Sequence, residues 1–111
     1  MTNLSQKKCI PCSGEVPPLD ANKKQEFLKE LHHDWKLTHD GTRIERVFKF
    51  ENFQKAMDLA VEIGKIAEDQ GHHPELHVGF GHLDVEIWTH KIGDLVESDF
   101  IFAAKVDKLE Q

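Results

Sequence analysis

Two stretches of alternating apolar residues, each doubled back across a very short connection, constrain this chain most. Trp35-Lys36-Leu37-Thr38 alternates like a strand, Asp40-Gly41 is a hairpin turn signal, and the return runs from Arg43 to Phe50. Ile44, Phe48 and Phe50 fall on one side of that return strand, and Arg43, Glu45 and Lys49 on the other. The pattern recurs with Leu76, Val78 and Phe80, then Leu83, Val85 and Ile87. A parallel crossover needs about a dozen residues, so both strand pairs must be antiparallel.

Helical rhythm fills the intervals. Asp20 can cap a first helix carrying Phe27, Leu28 and Leu31, and Asn52 can cap a second. The second helix sets Phe53, Ala56, Met57, Ala60, Val61, Gly64 and Ala67 on a 3.6-residue repeat, with Gly71 as its left-handed stop. Ser98 is the expected cap of a last helix containing Phe100, Ile101, Ala104 and Val106. The order αββαββα predicts an α+β fold of two layers, a four-stranded antiparallel sheet with helices on one face. His82, Asp84, Glu86, Trp88 and His90 then line the opposite face, a candidate for self-association or a ligand wall. Residues 1–19 are polar and turn-rich and read as an extended N-terminal arm, leaving 20–111 as a single domain.

A chain of 111 residues buries about two-thirds of its unfolded surface, enough for one core without disulfides. The formal charge of −6 argues against a nucleic-acid partner. No apolar run reaches the ~18 residues of a membrane span, and the first residues lack the apolar middle of a secretion signal. A cytoplasmic location with reduced thiols is expected. Cys9-Ile10-Pro11-Cys12 has redox or half-zinc spacing, but no strand precedes it and no second CxxC follows. It reads as part of the arm.

Chemistry concentrates in histidines. His72-His73-Pro74 follows a helix end, and His90 follows at strand spacing. Imidazole gives and takes protons near neutral pH, so this grouping points to acid–base catalysis without a nucleophile. Glu68 stands four residues before His72, the spacing of a shared helix face, and can orient that ring. Pro74 holds His73 extended, so the two adjacent rings diverge and can meet one molecule only in a concave pocket. Asp99, at the start of the last helix, can reach His90 and fix its tautomer. Zinc held by His72, His73 and His90 is the less favoured reading, because neighbouring residues with Pro74 beside them seldom aim at one ion. No metal is expected.

The run Glu68-x-x-x-His72-His73-Pro74, followed by Phe80, His90 and Asp99, resembles the signature of the pterin-4a-carbinolamine dehydratase family. Trp35 and the ending Asp99-Phe100-Ile101-Phe102-Ala103-Ala104-Lys105 resemble it too, and the likeness spans roughly residues 18–108. Phe80 departs from the tyrosine or tryptophan usual there, which keeps an aromatic wall and removes its polar handle. The resemblance implies dehydration of 4a-hydroxytetrahydropterin to the quinonoid dihydropterin, in recycling of the tetrahydropterin cofactor. It implies His72 and His90 as acid and base, His73 as holder of the ring, and Glu68 and Asp99 as supports. Pro74, Phe80 and Trp35 are implied at the substrate site. The pterin is the substrate, and no cofactor is implied. A homodimer or homotetramer is implied, together with a metabolic link to phenylalanine hydroxylase. Animal relatives also imply an alternative, a regulatory dimerisation cofactor for a homeodomain transcription factor.

Overall fold

The computed structural model describes residues 4–7 and 17–109. Its elements are α1 (Ala21–Leu28), β1 (Lys36–Thr38), β2 (Arg43–Lys49), α2 (Phe53–Gln70), β3 (Glu75–Gly79), β4 (His82–Ile87) and α3 (Glu97–Lys108). The strands form one antiparallel sheet in the order β1-β2-β4-β3. The second hairpin thus inserts its return strand beside β2, and α2 crosses over the sheet to allow it. This is the α+β architecture that the alternation predicts.

Local chemistry sets the ends of the elements. Asp20 Oδ1 accepts from the Lys23 amide at 2.8 Å and Asn52 Oδ1 from the Lys55 amide at 2.9 Å, each satisfying an orphan donor of a first turn. Gly71 ends α2 at φ 64°, where a side chain would be strained. The first hairpin is wider than Asp40-Gly41 alone predicts, since Thr38 pairs with Arg43. His39 and Asp40 both take positive φ there, 51° and 58°. The last helix begins two residues earlier than a Ser98 cap requires. Val96 is the cap residue, and the side chain of Asp99 accepts from its amide at 2.8 Å.

The core lies between the sheet and the helices. Leu83, Val85 and Ile87 of β4 and Ile44 and Phe48 of β2 are buried against Ile63, Ala67, Phe100 and Phe102. A fully buried side chain of this kind contributes about 1.5–3 kcal/mol. Arg46 shares that apolar face, contrary to a simple inside–outside pattern. Its guanidinium lies 4.1 Å from the Phe48 ring centroid, and its Nη1 donates to Asp107 Oδ1 at 2.6 Å. Asp107 also accepts from Trp35 Nε1 at 2.8 Å and from the His32 amide at 2.9 Å. One carboxylate at the end of α3 therefore anchors β2 and the segment entering β1.

Across the open face, the register aligns Lys36, Glu45, Glu86 and Glu75 in one row over the four strands. Directly opposed like charges are unfavourable, so this row calls for nearby cations. Arg43 supplies one at Glu86, at 3.1 Å, and His39 Nε2 lies 3.3 Å from the same carboxylate. Lys24, beside the exposed Lys23, is buried, with Nζ donating to Asp94 Oδ1 and Gly41 O, both at 2.7 Å.

The arm is not extended throughout. Leu4–Gln6 form a 3-10 turn against α3, with Leu4 buried and Lys105 Nζ donating to Ser5 O at 2.9 Å. Cys9 and Cys12 lie outside the described residues.

Removing the Asp107 carboxylate takes from the buried Arg46 guanidinium its partner at 2.6 Å, and breaking such a pair costs about 3–5 kcal/mol where no water reaches it. The Asp107 side chain keeps 17% exposure, so Asp107→Ala is expected at the lower end of that range by urea unfolding. Trp35→Phe, which loses one hydrogen bond and some ring area, is expected to cost less.

Candidate active site

Gly71 turns the chain out of its helix so sharply that His72 and His73 leave in different directions. The His72 amide still donates to Ala67 O at 3.2 Å, and its side chain turns inward beside Phe102, with ring centroids 5.9 Å apart. His73 stays exposed. His90 comes from a loop that follows β4 and is pinned at its ends. Thr89 and Asp94 form an isolated bridge, the Thr89 amide donating to Asp94 O at 3.0 Å. This loop carries His90 to the end of α2, and the three histidines meet around one open pocket of about 310 Å³. Gly71, Trp88, Thr89 and Lys91 complete its lining. That volume suits a small bicyclic ligand, at the lower edge of the usual range of about 300–1,000 Å³.

The carboxylates pair with these rings differently from the sequence expectation. Glu68 was expected to orient His72; its Oε2 instead lies 2.7 Å from His73 Nε2. Because Gly71 reverses the backbone, His72 no longer continues the helical register, and the exposed ring swings back over Glu68. Asp99 was expected to reach His90; its Oδ1 instead lies 2.7 Å from His72 Nε2. The other oxygen, Oδ2, accepts from Thr89 Oγ1 and from the Val96 amide, each at 2.8 Å. Asp99 is fully buried, so these donors replace the water its carboxylate has lost.

An ionised carboxylate only accepts hydrogen bonds. The Nε2 atoms of His72 and His73 must then carry their protons, which leaves Nδ1 on each ring as the basic nitrogen. A carboxylate behind an imidazole also stabilises the imidazolium formed when the ring takes up a second proton. The arrangement can therefore accept a proton from a ligand and return it.

Other expected residues sit elsewhere. Trp35 is buried in the core on Asp107 and is not among the pocket lining. Phe80 occupies the tip of the β3–β4 turn, 77% exposed, and Pro74 follows His73 without lining the pocket. The aromatic wall is Trp88, which alternation with Glu86 and His90 marked as part of a face that could serve as a ligand wall. Ligand atoms of His32, His33 and Asp34, and of His39, Glu45 and Glu86, gather within 4.8 Å of one another. Both groups lie outside the pocket lining.

Known proteins are similar to this chain over most of its length. The family described as pterin 4 alpha carbinolamine dehydratase matches residues 17–109. A protein of Alkaliphilus metalliredigens named for that dehydratase is 47% identical over 108 residues, spanning 97% of this chain and 96% of its own. One from Rickettsia canadensis, similarly named, is 50% identical over 107 residues, spanning 96% and 97%. Among solved structures, a transcriptional coactivator/pterin dehydratase from Brucella melitensis superposes with a TM-score of 0.79 at 27% identity, covering 86% of this chain and 100% of that one. A pterin dehydratase-like protein described as a RuBisCO assembly factor of the alpha-carboxysome shares the fold, with a TM-score of 0.59 at 22% identity over 70% of this chain and 90% of its own.

Asp99→Asn presents a side-chain amide to groups that now meet a carboxylate. With its carbonyl kept by Thr89 and Val96, its NH2 faces His72 and favours the ring with Nδ1 protonated and Nε2 bare. Nitrogen-15 NMR of His72 is expected to show that tautomer exchange. An unchanged spectrum would mean Asp99 does not set the ring.

Proposed function

The chain belongs to the pterin 4 alpha carbinolamine dehydratase family, and on that premise we propose that it dehydrates 4a-hydroxytetrahydropterin to the quinonoid dihydropterin by histidine acid–base catalysis. It is a hydro-lyase in tetrahydropterin recycling. The C4a–O bond breaks as the hydroxyl oxygen takes a proton and leaves as water. N5 gives up its proton, and its electrons form the C4a=N5 double bond. Atoms balance without oxidant or covalent enzyme intermediate, and the pterin is substrate rather than cofactor.

The observation that carries this reading is the convergence of His72, His73 and His90 on one pocket, two of them backed by carboxylates at 2.7 Å. His72 and His90 exchange protons with N5 and the 4a-hydroxyl, and His73 holds the pterin ring. Asp99 and Glu68 orient His72 and His73 in turn. Trp88 offers the apolar face that a flat heterocycle needs. Proton transfer by these side chains requires no metal ion, and activity is expected to persist in chelator.

Purified protein is expected to accelerate carbinolamine dehydration in the presence of chelator. A general acid or base contributes about 10²–10⁴-fold, so His72→Ala and His90→Ala are each expected to lose at least about a hundredfold in kcat. His73→Ala is expected to lose most of kcat/KM. Dehydration by the wild-type protein no faster than in buffer would remove the assignment.

The coactivator half of the Brucella melitensis protein's description favours a second reading, a regulatory dimerisation cofactor. Capture of a transcription factor by a variant lacking all three histidines would favour it over catalysis.

The reading places the enzyme in the cytoplasm, beside phenylalanine hydroxylase as metabolic partner. Among the described residues no helix is long and apolar enough to cross a membrane. Self-association as a homodimer or homotetramer draws support from α2, where Phe53, Met57 and Val61 repeat every four residues and stay exposed, Val61 at 53%. Met57→Glu with Val61→Glu is expected to lower the mass of the assembly by light scattering.

A further inference from the structure

His72 and His73 rest on carboxylates, but His90 does not. Among the described residues, its partner is the indole of Trp88, with ring centroids 4.2 Å and planes 27° apart. Trp88 has a brace of its own. The Arg43 guanidinium carbon lies 3.9 Å from its ring centroid, and Arg43 Nη1 donates to Glu86 Oε1 at 3.1 Å. Glu86 is mostly covered, and its other oxygen lies 3.3 Å from His39 Nε2. The contact follows from the sheet. Ile44 pairs with Ile87, so the antiparallel register brings Arg43 opposite Trp88 one step further along.

We infer that Arg43 is a positioning residue for His90, acting through Trp88. Glu86 holds the guanidinium over the indole, a place where the planar fork of arginine can stack and the compact ammonium of lysine cannot. The braced indole then presents the face on which the imidazole rests. A hydrogen-bonded carboxylate would commit one ring nitrogen of His90. A stack sets the plane of the ring and leaves both nitrogens free to exchange protons with a ligand. That is the requirement for the histidine opposite a ring already tied to Asp99. Arg43 itself does not line the pocket, so its influence on a ligand passes through the stack.

The kinetic consequence rests on the dehydratase reading, whereas the structural one does not, and the test reads both. In wild-type protein the ring protons of His90 are expected to resonate upfield, shifted by the indole beneath them. Arg43→Gln keeps a hydrogen-bonding group for Glu86 but removes the cation, and is expected to abolish most of that shift. It is also expected to lower kcat about tenfold, within the loss that small misplacement of a reacting group produces, with KM changing less than about twofold. Arg43→Lys is expected to recover part of both. Circular dichroism and unfolding curves show whether each variant is folded, and a folded Arg43→Gln or Arg43→Lys protein suffices for the measurement. An upfield His90 signal unchanged in the folded variants would overturn the inference. Absence of dehydratase activity in the wild type would remove the proposed function, and the His90 signal would still decide the role of Arg43.

Discussion

A carboxylate without solvent contact, that of Asp99, joins the ends of three elements of the fold. It accepts from His72 just beyond α2, from Thr89 just beyond β4 and from Val96 at the start of α3. Burying an isolated anion costs far more than any single packing contact returns, so Asp99 is tolerable only with all its donors in place. Fold and site thereby share one constraint. The geometry that caps α3 also fixes which nitrogen of His72 is bare. Removing one partner leaves the rest of a buried network unsatisfied, which is why such networks specify a single arrangement so strongly.

Much of the architecture was legible in the chain because local rules carried it. Alternation marked the strands, Asn52 and Gly71 marked the limits of α2, and the short turns dictated antiparallel pairing. His72, His73 and His90 were recognisable as a group, and they do converge. Their carboxylate partners were misassigned for a physical reason. Spacing by four is a rule for continuous helix, and a left-handed Gly71 interposed before His72 cancels it. Asp99 lies 27 residues from His72, and its reach depends on how α3 packs, which no local pattern encodes. Arg46 and Asp107 were invisible likewise, being a polar pair set within an apolar face and 61 residues apart. Trp35, implied at the substrate site, lies elsewhere, whereas Trp88 belongs to the face read as a possible ligand wall. The first satisfies its indole N–H on Asp107 in the core, and the second borders the pocket.

The open face of the sheet is an electrostatic compromise. Glu45, Glu86 and Glu75 stand side by side across adjacent strands, where directly opposed like charges are destabilising. Arg43 relieves the crowding at its centre and at the same time covers Trp88. One guanidinium so links the charge balance of the sheet to the shape of the pocket wall. An aromatic at this position would otherwise be an apolar surface on a charged face.

The bridge between Thr89 and Asp94 closes the His90 loop onto the same residue whose hydroxyl holds Asp99. The loop, the first turn of α3 and the ring of His72 consequently form a single mechanical unit at the rim of a core that is much larger. Warming that frays this rim misaligns the proton-carrying groups together while the sheet beneath remains intact. Catalytic power should accordingly vanish at temperatures where spectroscopy still records a native backbone, and return on cooling.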